Sequence, residues 1–176
     1  MKKATYAAAL LLFMISAVST EAQYCAPDQP PGPPIAVELL DDTSFDWDCP
    51  SWVYAGYATR ISSDPRYVRL NGSGHVQQTI GVGGPYSGPL SLDIDVSNSG
   101  GTASGTERLR IEILDQWGAL VETVDMLSAT STDGHYNYSL YNYDNMQIVV
   151  RIRYTQATNP SGTVFNVENV ALWAPL

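Results

Sequence analysis

The feature that most restricts the fold of this chain is an alternation of apolar and polar residues with a period of two. In the segments 90–96, 109–113 and 148–154, every second residue is apolar. A strand buries one face and exposes the other, so this period predicts β-strands, and helical spacing fits none of the three segments. We expect two packed antiparallel sheets, with these side chains pointing between them: Leu92, Ile94, Ile111, Ile113, Val150 and Ile152.

Turn-forming residues separate the alternating segments at short intervals. Residues 71–74, 83–85, 99–101 and 132–134 all contain glycine together with asparagine, serine, proline or aspartate, which favour tight turns or positive φ. Gln116-Trp117-Gly118 is expected at the tip of a hairpin that joins a strand at 108–115 to one at 120–126. Many short strands with such turns are typical of a β-sandwich.

The first residues have the composition of a targeting segment. Lys2 and Lys3 precede an apolar stretch at 7–18, and small and polar residues follow up to Gln23. This pattern predicts a signal peptide over 1–23 and a secreted or periplasmic protein, with an uncleaved N-terminal anchor helix as the alternative. A proline-rich arm is expected over 24–36 and a single β-sandwich domain over 37–176.

The net charge argues against several classes of partner. The formal charge is −9, and cleavage after Gln23 would remove two lysines and one glutamate, which leaves −10 with arginine as the only cationic residue. Phosphate backbones and anionic membranes repel such a surface, so we expect no nucleic-acid partner and no membrane insertion. Solubility outside the cell is a sufficient reason for the acidity.

The chain contains two cysteines, Cys25 and Cys49. In an exported protein two thiols predict one disulfide, which would close a loop over the proline-rich arm and stabilise the fold by ~3 kcal/mol. A metal site needs more ligands than two thiols without a nearby histidine.

Two terminal motifs carry a resemblance to a known family. Residues 39–46 read LLDDTSFD, and residues 161–172 read SGTVFNVENVAL. Together they resemble the ends of jelly-roll carbohydrate-binding modules of the galactose-binding-like group, which begin L-L-x-N-G-S-F-E and finish F-x-I-D-N-V-x-L. The resemblance covers 37–173 and implies a jelly roll.

The same resemblance implies a structural calcium ion where the first and last strands meet. Asp46 and Glu168 match its acidic ligands, and Asp42 falls near the segment that supplies backbone ligands, so the predicted metal residues are Asp42, Asp46 and Glu168. Oxygen ligands of this kind suit calcium. Thr43 replaces the glycine of the pattern and Glu168 replaces an aspartate, which alters backbone freedom and carboxylate reach.

The residues give little support to catalysis. Each of the two histidines lies beside a glycine in an expected turn, and there is no nucleophile elbow or zinc-binding histidine pair. The carboxylates do not form the paired arrangement of a glycosidase. We therefore predict a protein that is not an enzyme.

The outward-facing charges and aromatic side chains are candidates for sugar contact, because arginine binds hydroxyls through charge-assisted hydrogen bonds and aromatic rings stack on sugar rings. Asp93, Asp95, Arg110, Glu112, Arg151 and Arg153 all face away from the core, either as cross-strand ion pairs or as a binding surface. The residues predicted to line one glycan groove are Trp52, Tyr57, Tyr67, Arg69, Arg110 and Arg151.

The sequence thus predicts a secreted, non-catalytic protein that binds a glycan or a glycosylated surface. The alternative is an extracellular adhesin, envelope or structural protein with the same fold, a protein partner and no sugar binding.

Overall fold

The computed structural model describes residues 36–45, 51–99, 106–130, 133–156 and 162–176. These residues form an all-β structure, which confirms the predicted fold class. The strands are β1 (Ala36–Glu38), β2 (Val53–Ile61), β3 (Tyr67–Gly81), β4 (Leu90–Ser99), β5 (Arg108–Asp115), β6 (Leu120–Ser128), β7 (Gly134–Leu140), β8 (Gln147–Thr155) and β9 (Val164–Pro175). Among the described residues, no helix is long and apolar enough to cross a membrane.

The strands pair antiparallel in the order β6-β5-β8-β3-β9-β4-β7, with β2 beside β3 and β1 beside β9. β3 pairs with β8 through residues 75–81 and with β9 through residues 68–70. β3 is therefore bent, and its two halves belong to different sheets. We call β6-β5-β8 with the second half of β3 the first sheet, and β7-β4-β9 with the first half of β3 the second sheet.

One hydrophobic core lies between the two sheets. The side chains predicted from the alternating pattern all face it: Leu92, Ile94, Ile111, Ile113, Val150 and Ile152 are fully buried. Phe165 on β9 packs edge-on against Tyr154 on β8. Side chains from both sheets therefore contribute to the same core. The prediction of a β-sandwich of the jelly-roll type is confirmed.

Residues 71–74 form the corner of β3, not a turn between strands as their composition suggested. Gly72 has φ +54°, and a Cβ on Gly74 would lie 2.7 Å from the backbone of Tyr57 on β2. The pairing of β2 with β3 is also irregular here, between Ala55 and Tyr57. Glycine is therefore needed because the two backbones approach closely where the hairpin passes from one sheet to the other.

Two tyrosines, one on β7 and one in the segment that follows it, bind to β6 at the edge of the other sheet. Tyr138 on β7 donates a hydrogen bond of 2.8 Å to Asp125 on β6, and Tyr143 donates one of 2.7 Å to Glu122. Burial and the neighbouring carboxylate raise the pKa of each phenol, so both stay protonated donors. These bonds close the open side of the sandwich with paired polar groups.

The signal peptide, the proline-rich arm, both cysteines and Asp46 lie outside the described residues. The predicted domain boundaries, secretion and the Cys25–Cys49 disulfide therefore stay predictions.

Candidate functional site

The outer surface of the first sheet carries most of the arginines of the folded part. Arg108, Arg110 and Glu112 on β5 pair with Thr155, Arg153 and Arg151 on β8. On the other side of β8, His75 and Gln77 of β3 pair with Arg153 and Arg151. Since paired residues in neighbouring strands point to the same side, these side chains form one continuous surface, which we call the arginine face.

Glu112 is the centre of this face. Its side chain is 1% exposed, and Arg151 donates to its Oε2 from both Nε, at 2.8 Å, and Nη2, at 2.6 Å. The Nε atoms of Arg153 and Arg110 lie 3.2 and 3.3 Å from Oε1. These two contacts lack the geometry of directed hydrogen bonds, so they are ionic contacts. One carboxylate thus neutralises one of three cations.

The three guanidinium groups keep donors for a ligand. The side chains of Arg110, Arg151 and Arg153 are 24%, 21% and 35% exposed. Apart from Glu112, the hydrogen-bond partner of the three groups in the described part of the chain is Thr123, which accepts from Nη2 of Arg110 at 2.9 Å. A guanidinium has five N–H groups, so several of them point to solvent.

His75 reports the electrostatic potential of the arginine face. Burial lowers the pKa of its imidazole, and the charges of Arg151 and Arg153 lower it further, against a smaller opposite effect of Glu112. The imidazole is therefore neutral at pH 7, and the net effect of the cluster on it is that of positive charge.

Trp117 lies in the turn that follows β5 and is 85% exposed. Asp115 holds this turn, because its Oδ1 accepts hydrogen bonds from the backbone N–H groups of Trp117, at 2.9 Å, and Ala119, at 2.8 Å. Gly118 completes the turn with φ +84°. The indole is thus presented by a rigid turn, and it lines an open cleft of about 370 Å³ together with Gln147 of β8.

This turn stands at one end of the arginine face. It begins three residues after Glu112 along β5, a distance of roughly 10 Å at the rise of a strand. Leu114 and Val149 lie between the two features, and both are nearly fully buried. The charged region and the exposed aromatic ring are therefore carried by one strand and the turn that follows it, with a buried apolar pair between them.

Trp52 is a core residue in the structure. It is 3% exposed, packs against Phe45 with ring centroids 5.2 Å apart, and donates from Nε1 to the backbone oxygen of Asp42 at 2.8 Å. Its ring has no free face for a sugar, so it does not belong to the predicted groove. The pattern of apolar residues does not distinguish a buried tryptophan next to a turn from an exposed one.

The other predicted glycan residues are divided between the two sheets. Arg110 and Arg151 lie on the arginine face, whereas Arg69 pairs with Asn166 of β9 and faces outward from the second sheet with Tyr67. Arg69 is placed over the Tyr67 ring, 5.7 Å from its centroid, and donates to its hydroxyl at 3.0 Å. Tyr57 is 70% exposed and lies at the corner beside Gly72. The single groove predicted from the sequence is not formed.

The outer surface of the second sheet is acidic. Asp95 on β4 lies 2.7 Å from Nδ1 of His135 on β7, and Asp93 accepts from Asn137 at 2.6 Å. The hydrogen bond to Asp95 raises the pKa of His135, and the charges of both carboxylates raise it further. The outward charges therefore separate by sign: the acids of β4 are on one sheet, and the arginines of β5 and β8 are on the other.

The calcium prediction is not tested by the structure, although the surroundings of two of its residues are visible. The turn that contains Asp42 packs against β9, since the backbone N–H of Val170 donates to the oxygen of Thr43 at 3.1 Å. Glu168 accepts from Ser97 at 2.8 Å and lines a cleft with Ser44. Within the described ranges no group of three acidic, histidine or cysteine side chains could hold a metal ion. Because Asp46 is outside these ranges, the site stays a prediction.

Comparison with known proteins places the fold. No protein-family model and no curated protein sequence matches the chain. Among solved structures, it is similar to TmCBM61 in complex with β-1,4-galactotriose, with a TM-score of 0.55, 12% identity, and coverage of 78% of this chain and 99% of that one. It is also similar to the xylan-binding module CBM15, with a TM-score of 0.50, 12% identity, and coverage of 80% and 96%.

A third similar structure is the K3 adhesin domain of Lys-gingipain from Porphyromonas gingivalis, with a TM-score of 0.51, 10% identity, and coverage of 78% and 98%. At these identities the likeness establishes the fold alone. The structural neighbours include carbohydrate-binding modules, which confirms the fold that the resemblance in the sequence implied.

Proposed function

We propose that this is a secreted or periplasmic, non-catalytic protein that binds a glycan through the arginine face and Trp117. The observation that carries the proposal is the position of Trp117, an exposed ring on a rigid turn, at the end of a surface that gathers three partly exposed arginines. An indole stacks on the apolar face of a sugar ring, and guanidinium groups donate to its oxygens. The fold shared with carbohydrate-binding modules supports the same reading.

The exposure of Trp117 is not explained by a role in stabilising the fold. A tryptophan that is 85% exposed contributes almost nothing to the core, and Asp115 fixes the backbone beneath it. A rigid aromatic side chain loses little conformational entropy when it binds, which makes it an effective contact residue.

The proposal is tested by retention of the mature protein on immobilised galactan, xylan and acidic polysaccharides. Trp117→Ala is expected to weaken retention by about tenfold, a loss of roughly 1.4 kcal/mol, with an unchanged melting temperature. Tyr141→Ala is the matched control, because Tyr141 is 62% exposed but follows β7 and lines a different cleft with Tyr86. Equal losses in both variants, or no retention of the wild type on any polysaccharide, would contradict the proposal.

The expected secretion has its own test. If 1–23 is a cleaved signal peptide, the exported protein begins near Gln23 and Cys25 is oxidised with Cys49. N-terminal sequencing of exported protein and thiol titration after unfolding without reductant should find that start and no free thiol. Two reactive thiols per chain would remove the disulfide.

The alternative function is an extracellular protein that binds another protein. It is favoured by β6, which pairs with β5 and with no other strand of the described residues. Leu120, Val121 and Met126 on this strand are each about half exposed. An edge strand with apolar side chains is a template for pairing with a partner strand. This function replaces the first one if no glycan is retained.

A further inference from the structure

The arginine face has an excess of positive charge on an acidic protein. Among the described residues, Arg110, Arg151 and Arg153 contact one carboxylate, Glu112, so this part of the cluster has two more positive charges than negative ones. The chain as a whole has a formal charge of −9. A neutral sugar would need no such excess, because amide groups and paired charges also exchange hydrogen bonds with hydroxyl groups.

The excess positive charge of the cluster is also partly shielded from water. Glu112 is 1% exposed, and the three arginine side chains are 21–35% exposed. Like charges held this close repel one another, and partial burial strengthens the repulsion. An anionic ligand would relieve it, and the remaining N–H groups could donate to a carboxylate or sulfate in pairs.

The opposite side of the molecule has the reverse charge. Asp93 and Asp95 lie on the outer surface of the second sheet. A polyanion is therefore repelled by the acids of β4 and attracted by the arginine face, which favours binding at the arginine face.

From these observations we infer that the ligand is an anionic polysaccharide, whose carboxylate or sulfate groups are bound by Arg110, Arg151 and Arg153 while a sugar ring stacks on Trp117. This inference rests on the proposed function and names the substrate class of the same site. The shared chemistry is a repeated anionic group on a sugar chain.

The probes are polygalacturonate, its fully methyl-esterified form, dextran sulfate and unmodified dextran. Single-stranded RNA is added as a polyanion that is not a polysaccharide and whose charges are phosphates. The protein is expected to be retained by polygalacturonate or dextran sulfate, and at least about tenfold less by the matching neutral polymer. Retention should fall as salt rises, because screening weakens the charge interaction. Which charged polymer is retained distinguishes carboxylate from sulfate.

Arginine variants test which guanidinium groups bind the anionic groups of the polysaccharide. Arg153→Gln is expected to weaken retention by about tenfold, and the double variant Arg110→Gln, Arg153→Gln by about a hundredfold or more. The double variant leaves Arg151 paired with Glu112, a neutral pair with both hydrogen bonds intact. Arg66→Gln is the charge-matched control, because Arg66 is exposed between β2 and β3, away from this face. Melting temperatures verify that each variant is folded.

Each outcome decides the inference. Retention on the neutral polymer as strong as on its charged counterpart would overturn it, as would equal retention of RNA, or variants that bind like the wild type. Retention on galactan or xylan but on no charged polymer would overturn the inference and leave the proposed function standing. Retention on no polysaccharide at all would remove both.

Discussion

Nε and Nη2 of Arg151 donate to the same oxygen, Oε2, of the buried Glu112, at 2.8 and 2.6 Å. The other oxygen of Glu112 lies within 3.3 Å of both Arg110 and Arg153. Three cationic side chains from two strands therefore share one carboxylate. Binding and stability are linked at this point, because the group that holds the arginines together is also the only one that lowers their repulsion among the described residues of the face.

Replacing Glu112 by glutamine should be strongly destabilising. The variant removes the only negative charge of the cluster, so the free energy of unfolding should fall by roughly 2–4 kcal/mol, less than for a fully buried ion pair because the arginines are partly exposed. Urea unfolding measures the change. Arg153→Gln, which removes one of three cations, should cost less than about 1 kcal/mol. A larger loss for Arg153→Gln than for Glu112→Gln would show that Glu112 is not the centre of the cluster.

The pKa of His75 should rise when Arg153 becomes neutral. The charges of Arg151 and Arg153 disfavour the imidazolium, so Arg153→Gln removes part of that effect. NMR titration of the histidine ring protons measures the shift. His135, the other histidine, is an internal control because its pKa depends on Asp95 and Asp93. A His75 pKa that stays the same or falls in this variant would contradict the geometry of the face.

Trp52 should contribute to stability and not to ligand contact. Trp52→Phe loses the hydrogen bond to the Asp42 backbone and should cost about 1–2 kcal/mol, while Trp52→Ala should cost roughly 3–5 kcal/mol. Tyr57→Ala, at an exposed position, should change the free energy of unfolding by less than about 0.5 kcal/mol. Chemical denaturation of the three variants tests this order. If Trp52→Ala were as stable as Tyr57→Ala, the buried position of Trp52 would be wrong.

Calcium should raise the melting temperature if Asp42, Asp46 and Glu168 hold the ion implied by the family resemblance. An ion that binds the native state alone stabilises it in proportion to the logarithm of its concentration. Thermal scans with calcium and with a chelator should differ, and the difference should shrink in Glu168→Gln. Identical melting temperatures in the two conditions would remove the site.

The sequence predicts the sheets well because their cause is local. Ile111 and Ile152 follow a period-two pattern that requires no knowledge of which strands are neighbours, and both are fully buried as expected. The hairpin around Trp117 is also local, and β5 ends at Asp115 as predicted. Residues 71–74 show the limit, because glycine permits a turn and a bent strand equally well, and only the close approach of β2 decides between them.

The composition of the candidate site depends on long-range pairing. Tyr67 and Gln77 belong to the same strand, but they lie on different sheets because β3 pairs first with β9 and then with β8. The alternating pattern predicts that Arg110, Arg151 and Arg153 point outward. Their contact with Glu112 could not be predicted, because it depends on the pairing of β5 with β8. Sequence spacing gives the direction of a side chain and leaves its neighbours undetermined.

Glu38 should make the protein less stable as the pH rises toward neutrality. Burial raises the pKa of its carboxyl from 4.5 to about 7, Leu172 opposes this through its backbone, and the charge of Asp93 adds to it. Neither carboxylate oxygen has a hydrogen bond of ordinary geometry. The native state therefore holds this proton between pH 4.5 and about 7 while the unfolded chain has released it, so the free energy of unfolding decreases as pH increases through this window.

Glu38→Gln removes this dependence, since glutamine stays neutral at every pH. Relative to the wild type, the variant should gain roughly 1–2 kcal/mol between pH 5 and pH 8, a figure reduced from the full shift because the side chain is only half buried. Urea unfolding of both proteins at the two pH values gives the double difference, in which the titration of all other groups cancels. If the difference between variant and wild type were the same at pH 5 and pH 8, the carboxyl of Glu38 would titrate alike in the folded and unfolded states. A larger wild-type disadvantage at pH 5 would reverse the sign and place a cation, not Asp93, beside this carboxyl.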